Sequence, residues 1–148
     1  MRARATLLIL AVAVAGCTSA NGTPLPPGCT SEPADVARAR ADAPGEVRLE
    51  GGTPLSFCVR NARGEADLQN LGLVLTGVAE DLEAEARTTP RSALELGYLI
   101  GAARRGAPSE SSLQAELVRR LERSAAIRLP PEGERALAEG MEAGEARG

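Results

Sequence analysis

Residues 91–105 read RSALELGYLIGAARR and, apart from the arginines near their two ends, carry a single charge, that of Glu95. A helix that is apolar on nearly all sides lies buried in a protein core. Gly97 and Gly101 are one helical turn apart, so a neighbouring helix can approach the backbone closely there. In membranes this spacing drives helix dimers, but the run is far too short to span a bilayer. We therefore predict a central helix packed closely against another helix of a bundle.

The segments on either side of this run have apolar residues at the spacing of an amphipathic helix. In residues 65–87 the apolar stripe consists of Leu68, Leu71, Leu75, Val78, Ala79 and Leu82. In residues 109–127 the inner stripe consists of Leu113, Leu117, Leu121 and Ala125, with Val118 beside it. Prolines follow each segment and stop the helix. The fold class predicted is all-α, a small bundle of three main helices.

One or two short helices are predicted before these three. Ser31 followed by Pro33 is typical of a helix start, which predicts a helix over residues 33–42. Residues 53–60 read TPLSFCVR and fit either a helix that starts at Thr53 and Pro54 or a strand. We prefer the helix, because a lone hairpin is only marginally stable. A hairpin over residues 47–59 is the alternative.

The last residues, 131–148, have a helical composition weakened by Gly133, Gly140, Gly144 and Gly148. We predict a weakly helical tail outside the domain, which spans residues 29–130. Its pattern ALxxGxxxG, starting at Ala136, echoes the same pattern starting at Ala93. A single echo does not indicate a repeat architecture.

The first residues, 1–16, have the organisation of an export signal. Arg2 and Arg4 precede an unbroken apolar run over residues 7–15, and small residues follow it. This order is typical of a cleaved signal peptide. The apolar run is too short for a transmembrane helix, which needs about 20 residues.

The apolar run ends in Val14-Ala15-Gly16-Cys17. This junction resembles the lipobox of bacterial lipoprotein precursors, which are cut just before the cysteine. The resemblance covers only the first 20 or so residues, and no family resemblance is evident for the rest. It implies that Cys17 receives a diacylglycerol, that the protein is exported, and that its lipid holds it on the extracytoplasmic face of the cell membrane. Residues 17–28 would then be a lipidated cysteine and a linker rich in turn formers.

Two cysteines, Cys29 and Cys58, remain once Cys17 carries a lipid. Export places them in an oxidising compartment, where a small domain often needs a covalent cross-link. We predict that they form a disulfide. The alternative is a pair of free thiols.

The chain's composition excludes several chemistries. It has no His and no Lys, which removes a Ser-His triad, imidazole metal ligands and a lysine Schiff base. We predict no catalytic residues, no metal site and no cofactor. The mildly acidic charge and the near absence of aromatic residues also argue against nucleic acid as a partner.

The densest charged groups are interpreted as solvated helix faces. The acidic group consists of Glu80, Asp81, Glu83 and Glu85, in which Glu83 is expected to pair with Arg87. The basic group consists of Arg119, Arg120 and Arg123, with Arg104 and Arg105 near another helix end. The functional alternatives are a divalent cation for the acids and anionic headgroups or a wall polymer for the arginines.

Three function classes remain. The preferred one is a non-catalytic envelope lipoprotein that binds another envelope protein or gives structural support. The second is a carrier that holds a small or lipidic ligand between its helices, which an apolar cavity would favour. The third is a carboxylate-dependent hydrolase, which two buried carboxylates in a cleft would favour.

Overall fold

The computed structural model describes residues 24–109 and 112–148. Within them the chain is predominantly α-helical, which confirms the predicted all-α class. The six helices are α1 (Pro33–Ala39), α2 (Leu55–Asn61), α3 (Glu65–Ala86), α4 (Pro90–Gly106), α5 (Leu113–Ala125) and α6 (Pro131–Arg147). Short connections join α3 to α6, so that successive helices are antiparallel. Helices α4 and α6 therefore run in the same direction, as do α3 and α5.

Helix α4 is the centre of the bundle. Its buried residues point to every side, and Leu96 and Ile100 are fully buried. It packs against α2, α3, α5 and α6. The prediction of a buried central helix over residues 91–105 is therefore confirmed, with the helix beginning at Pro90 and ending at Gly106.

Helices α4 and α6 meet along their glycines. A side-chain carbon added at Gly97 would overlap the carbonyl oxygen of Leu137, and one at Gly140 would overlap that of Leu94. One turn later, Gly101 meets Met141, and Gly144 meets Tyr98 in the same way. The two matching ALxxGxxxG patterns are thus the two faces of a single helix contact. Backbones this close suit weak Cα–H···O contacts between helices.

The prediction of a weakly helical tail outside the domain over residues 131–148 is wrong. Those residues form α6, a regular helix whose Gly140, Ala143 and Gly144 are buried. Glycine lowers the intrinsic tendency to form a helix, but in proteins most helix stability comes from tertiary packing. The bundle consequently has four long helices where the sequence predicted three.

Residues 48–61 contain both of the predicted alternatives, a strand pair followed by a helix. Strands β1 (Arg48–Leu49) and β2 (Thr53–Pro54) pair antiparallel across a tight turn. Gly51 and Gly52 have φ angles of 70° and 75°, in the left-handed region that favours glycine. The chain then enters α2 at Leu55, one residue after Pro54. Residues 55–61 form a helix and not a strand because the helix buries Leu55, Cys58 and Val59 on one face.

The start of the fold lies earlier than the predicted end of the linker at residue 28. Leu25 packs against the core, and Gly28 is buried so closely against Glu50 that a larger residue would overlap the backbone. Residues Pro27–Thr30 form a 3-10 turn. Ser31 is not a helix cap: its hydroxyl donates to the Gly28 carbonyl at 2.8 Å, and α1 begins at Pro33 after Glu32.

Candidate functional site

The predicted disulfide is present. Cys29 and Cys58 are bonded, with their Cα atoms 5.2 Å apart, and both side chains are buried. The bond joins the 3-10 turn at the start of the fold to the middle of α2. It fixes the point where the N-terminal segment enters the domain.

Cys17, the predicted lipidation site, lies outside the described residues together with the signal segment. Among the helices that are described, none is long and apolar enough to cross a membrane.

The acidic group on α3 is distributed around the helix. Glu83 pairs with Arg87 at 3.2 Å, as predicted, and Glu85 accepts a hydrogen bond from the Ser92 hydroxyl at 2.9 Å. Within residues 24–109 and 112–148, no three acidic or cysteine side chains converge to hold a metal ion.

An open groove of about 570 Å³ lies between α3 and α5. These helices are parallel, and the groove follows their shared direction on the outside of the bundle. Its walls are polar and charged, and consist of Thr76, Glu80, Glu83, Glu116, Arg120, Arg123 and Ser124. We refer to this surface as the α3–α5 groove.

Each wall of the α3–α5 groove continues a stripe that repeats every three or four residues. On α3 the stripe runs from Leu73 through Thr76, Glu80 and Glu83, and on α5 it runs from Leu113 through Glu116, Arg120 and Arg123. Leu73 is 66% exposed and Leu113 is 70% exposed. The groove therefore has one exposed leucine at the start of each wall, followed by charges.

The exposure of Leu113 corrects the sequence analysis, which placed it in the inner stripe of its helix. The helix begins only at Leu113, and the cap Ser112 accepts a hydrogen bond from Ala115 at 3.1 Å. As the first residue of the helix, Leu113 lies outside the buried layer to which Leu117 and Leu121 belong. Sequence reasoning did not identify the groove, although Leu73 falls outside the apolar stripe of its own helix and was a usable signal.

The charges of the groove are only partly compensated. Glu116 binds Arg119 at 3.1 Å and Arg120 at 3.5 Å, and the hydrogen bond from Arg119 is the main reason why the pKa of Glu116 lies below its usual value. None of the ion pairs recorded in the described part of the chain includes Glu80 or Arg123. One acid and one base in the groove thus have no ion-pair partner among the described residues.

A second polar cluster lies inside the fold, around Glu95. Its carboxylate, nearly buried, binds the guanidinium groups of Arg40 and of Arg91, the latter at 2.7 Å. The neighbouring Tyr98 hydroxyl accepts a hydrogen bond from the Val47 amide at 3.1 Å. Only about 10 Å³ of free volume remains beside them, at most the room of one water molecule. One carboxylate held by two cations fits a structural link between the N-terminal segment and α4.

Arg104 and Arg105 link three helices at the end of α4. Arg104 binds Glu122 of α5 at 2.7 Å and Glu145 of α6 at 3.2 Å. Burial lowers the pKa of its guanidinium, but the hydrogen bonds to both carboxylates outweigh burial and raise the pKa. Arg105 donates to the last carbonyls of α6, including that of Glu145 at 3.0 Å. These two arginines therefore hold the C-terminal ends of α4 and α6 together.

Comparison with known proteins gives no lead beyond this geometry: no family model, curated protein or solved structure matches the chain significantly.

Proposed function

We propose that this chain is an exported bacterial lipoprotein, anchored to the cell membrane through Cys17, whose helical domain binds another envelope protein without catalysing a reaction. The observation that carries the binding role is the α3–α5 groove. It is the place where exposed leucines and incompletely paired charges occur together on rigid helices. Binding surfaces combine such apolar anchors with a polar rim.

The closed interior favours a protein that binds its partner on the outer surface over one that holds a ligand inside. The largest side chains of the core are fully buried around α4, and the small space beside Glu95 is far below the volume of a ligand pocket, which is several hundred Å³. A carrier that holds its ligand between helices would need such a pocket with mostly apolar walls, whereas the α3–α5 groove reaches this volume but is open and has polar and charged walls. The buried carboxylate of Glu95 is bound by two arginines, which favours a structural over a catalytic role.

The groove fits an amphipathic helix of the partner. Two parallel helices with residues in register every three or four positions offer the ridges between which a third helix packs. The partner helix would place apolar residues between Leu73 and Leu113. It would place a base opposite Glu80 and an acid opposite Arg123, since these two charges lack an ion pair in the described structure.

Photocrosslinking in intact cells tests this role. A photoreactive amino acid at Thr76, inside the groove, is compared with one at Glu139, which is exposed on α6. We expect a discrete adduct from Thr76 that is lost when Leu73→Glu is added, while the folded content stays unchanged. Equal adducts from both positions, or an adduct that persists with Leu73→Glu, would contradict the groove as the binding surface.

A further inference from the structure

We propose that the domain rests on the membrane through one defined surface, the α2 face, made of Phe57, Arg60, Arg63 and Arg105. Its ligand is a bilayer with anionic headgroups. The inference rests on the proposed anchor at Cys17, because the anchor brings this surface to the bilayer.

The length of chain between the anchor and the fold limits which side can face the membrane. Seven residues lie between Cys17 and Leu25, where packing against the core begins, so eight Cα–Cα steps join the two positions. Such a segment reaches roughly 25–30 Å when fully extended. A domain of this size is roughly 35 Å across. The side of the domain farthest from Leu25 therefore stays out of reach of the bilayer.

The disulfide places the α2 face on the side that can reach. Cys29 follows Leu25 by four residues, and its Cα lies 5.2 Å from that of Cys58 in the middle of α2. Phe57 and Arg60 belong to the same helix and lie on its outer side, while Ser56 and Val59 pack against Gly106 of α4. The anchored segment thus enters the domain beside the α2 face.

The side chains of the α2 face suit a bilayer surface. Phe57 is the sole phenylalanine of the chain, and it is 42% exposed although it adjoins the core residues Ser56 and Cys58. An aromatic ring inserts at the boundary between headgroups and acyl chains, while arginine stems lie along apolar surface and keep their charge at the headgroups.

The arginines of the α2 face form no ion pair with a carboxylate of the described residues. Arg60 donates to the Arg105 carbonyl at 3.1 Å, and Arg105 donates to carbonyls at the end of α6. In the described part of the chain, no ion pair with a carboxylate includes Arg60, Arg63 or Arg105. Guanidinium groups without a carboxylate partner are attracted to anionic lipids within about one Debye length of the surface, roughly 8 Å. Because the protein as a whole is acidic, an anionic bilayer attracts the α2 face and not the protein as a whole. The attraction therefore orients the domain on the membrane.

Tryptophan fluorescence tests the orientation directly, because the chain contains no tryptophan. Full-length lipidated Phe57→Trp is reconstituted into vesicles of phosphatidylglycerol and brominated phosphatidylcholine, whose bromines quench only fluorophores that contact the acyl chains. The matched control is Ala126→Trp, exposed in the connection between α5 and α6. That connection lies at the opposite end of α5 from Gln114, whose side chain donates to Ala62 just after α2.

We expect strong quenching at Phe57→Trp and little at Ala126→Trp. Adding Arg60→Gln and Arg63→Gln should shift the equilibrium away from the membrane-contacting orientation by about fivefold for each arginine removed. Equal quenching at the two positions, or no effect of the arginine variants, would overturn the proposal.

Flotation separates this proposal from the anchor. Wild-type protein and Cys17→Ala are floated with the same vesicles before fluorescence is measured. A wild-type chain that does not float contradicts the anchor and with it the orientation. A chain that floats but shows equal quenching contradicts the orientation alone.

Discussion

At the contact of α4 and α6, the fold does not tolerate a residue larger than glycine. At Gly97 and Gly140 an added carbon overlaps a backbone carbonyl of the opposite helix, which no side-chain rotation can relieve. At Gly77, inside α3, an added carbon meets nothing within 4 Å. The same chemical change therefore has opposite consequences at these positions.

We predict that Gly97→Ala lowers the free energy of unfolding by about 1–3 kcal/mol, the usual cost of overpacking. Gly97→Leu and Gly101→Leu should cost more. The control Gly77→Ala should raise it by about 0.5–1 kcal/mol, because alanine is the better helix former. Denaturant unfolding followed by circular dichroism measures both. A gain in stability at Gly97 as well would mean that α6 does not lie against α4.

Glu95 is the charged residue on which the interior depends most. Glu95→Gln keeps the shape but leaves the largely buried guanidinium of Arg40 without its counter-charge. Removing one partner of a fully buried ion pair costs about 3–5 kcal/mol, and the partial exposure of Arg40 and Arg91 places the expected loss at about 3 kcal/mol. Glu83→Gln, which breaks the exposed pair with Arg87, should cost no more than about 0.5 kcal/mol. Similar small losses for both variants in denaturant unfolding would show that Glu95 is not buried as described.

Several of these residues could be identified from the sequence and others could not. The buried position of Gly97 follows from an apolar environment that is local in sequence. The role of Gly140 does not, because its partner Leu94 is far away along the chain, and only the three-dimensional contact distinguishes a packing glycine from one that weakens a helix. Leu113 was misassigned because helix periodicity cannot show where the first turn begins.

Helices α1 and α2 are short, and their place depends on links to the rest of the fold. The disulfide between Cys29 and Cys58 closes a loop of 29 residues in sequence separation. This loop contains α1, both strands and the first turn of α2. Isolated helices of this length are unstable in water. The bond and the ion pairs of Glu95 together hold the N-terminal segment against α4.

We predict that Cys29→Ala/Cys58→Ala lowers the free energy of unfolding by about 3–4 kcal/mol, the loop-closure value for this separation. Reducing the wild-type protein should give a similar loss, since it removes the same cross-link without changing the residues. The midpoint of denaturant unfolding is the measurement. A midpoint that neither treatment moves would show that the N-terminal segment is held without the bond.

Among the elements, those with strong periodicity were predicted and those defined by long-range contacts were not. Helices α3 and α5 follow from apolar stripes, and α4 follows from a run that is apolar on nearly all sides. The segment over residues 47–61 contains a strand pair and a helix in succession, whereas we preferred a helix alone, with the hairpin as the alternative. Helix α6 has a mixed surface with three glycines, so only its packing on α4 distinguishes it from an unstructured tail.

The described part of the molecule is a closed bundle that exposes two different surfaces, and we propose that a lipid on Cys17 anchors it. The α2 face lies beside the point where the N-terminal segment enters the domain, and its arginines lack a carboxylate partner in the described residues. The α3–α5 groove carries exposed leucines and partly paired charges. In this account the lipid and the α2 face set the orientation, and the groove is presented to a partner along the membrane.

The anchor is the premise of this account, and the mass of the amino-terminal peptide tests it most directly. Protein purified from the membrane fraction of a bacterium that processes lipoproteins is digested and analysed by mass spectrometry. We predict that its first peptide begins at Cys17 and carries a diacylglycerol, and that Cys17→Ala yields neither this peptide nor membrane-bound protein. A first peptide that begins elsewhere, or an unmodified Cys17, would contradict the account.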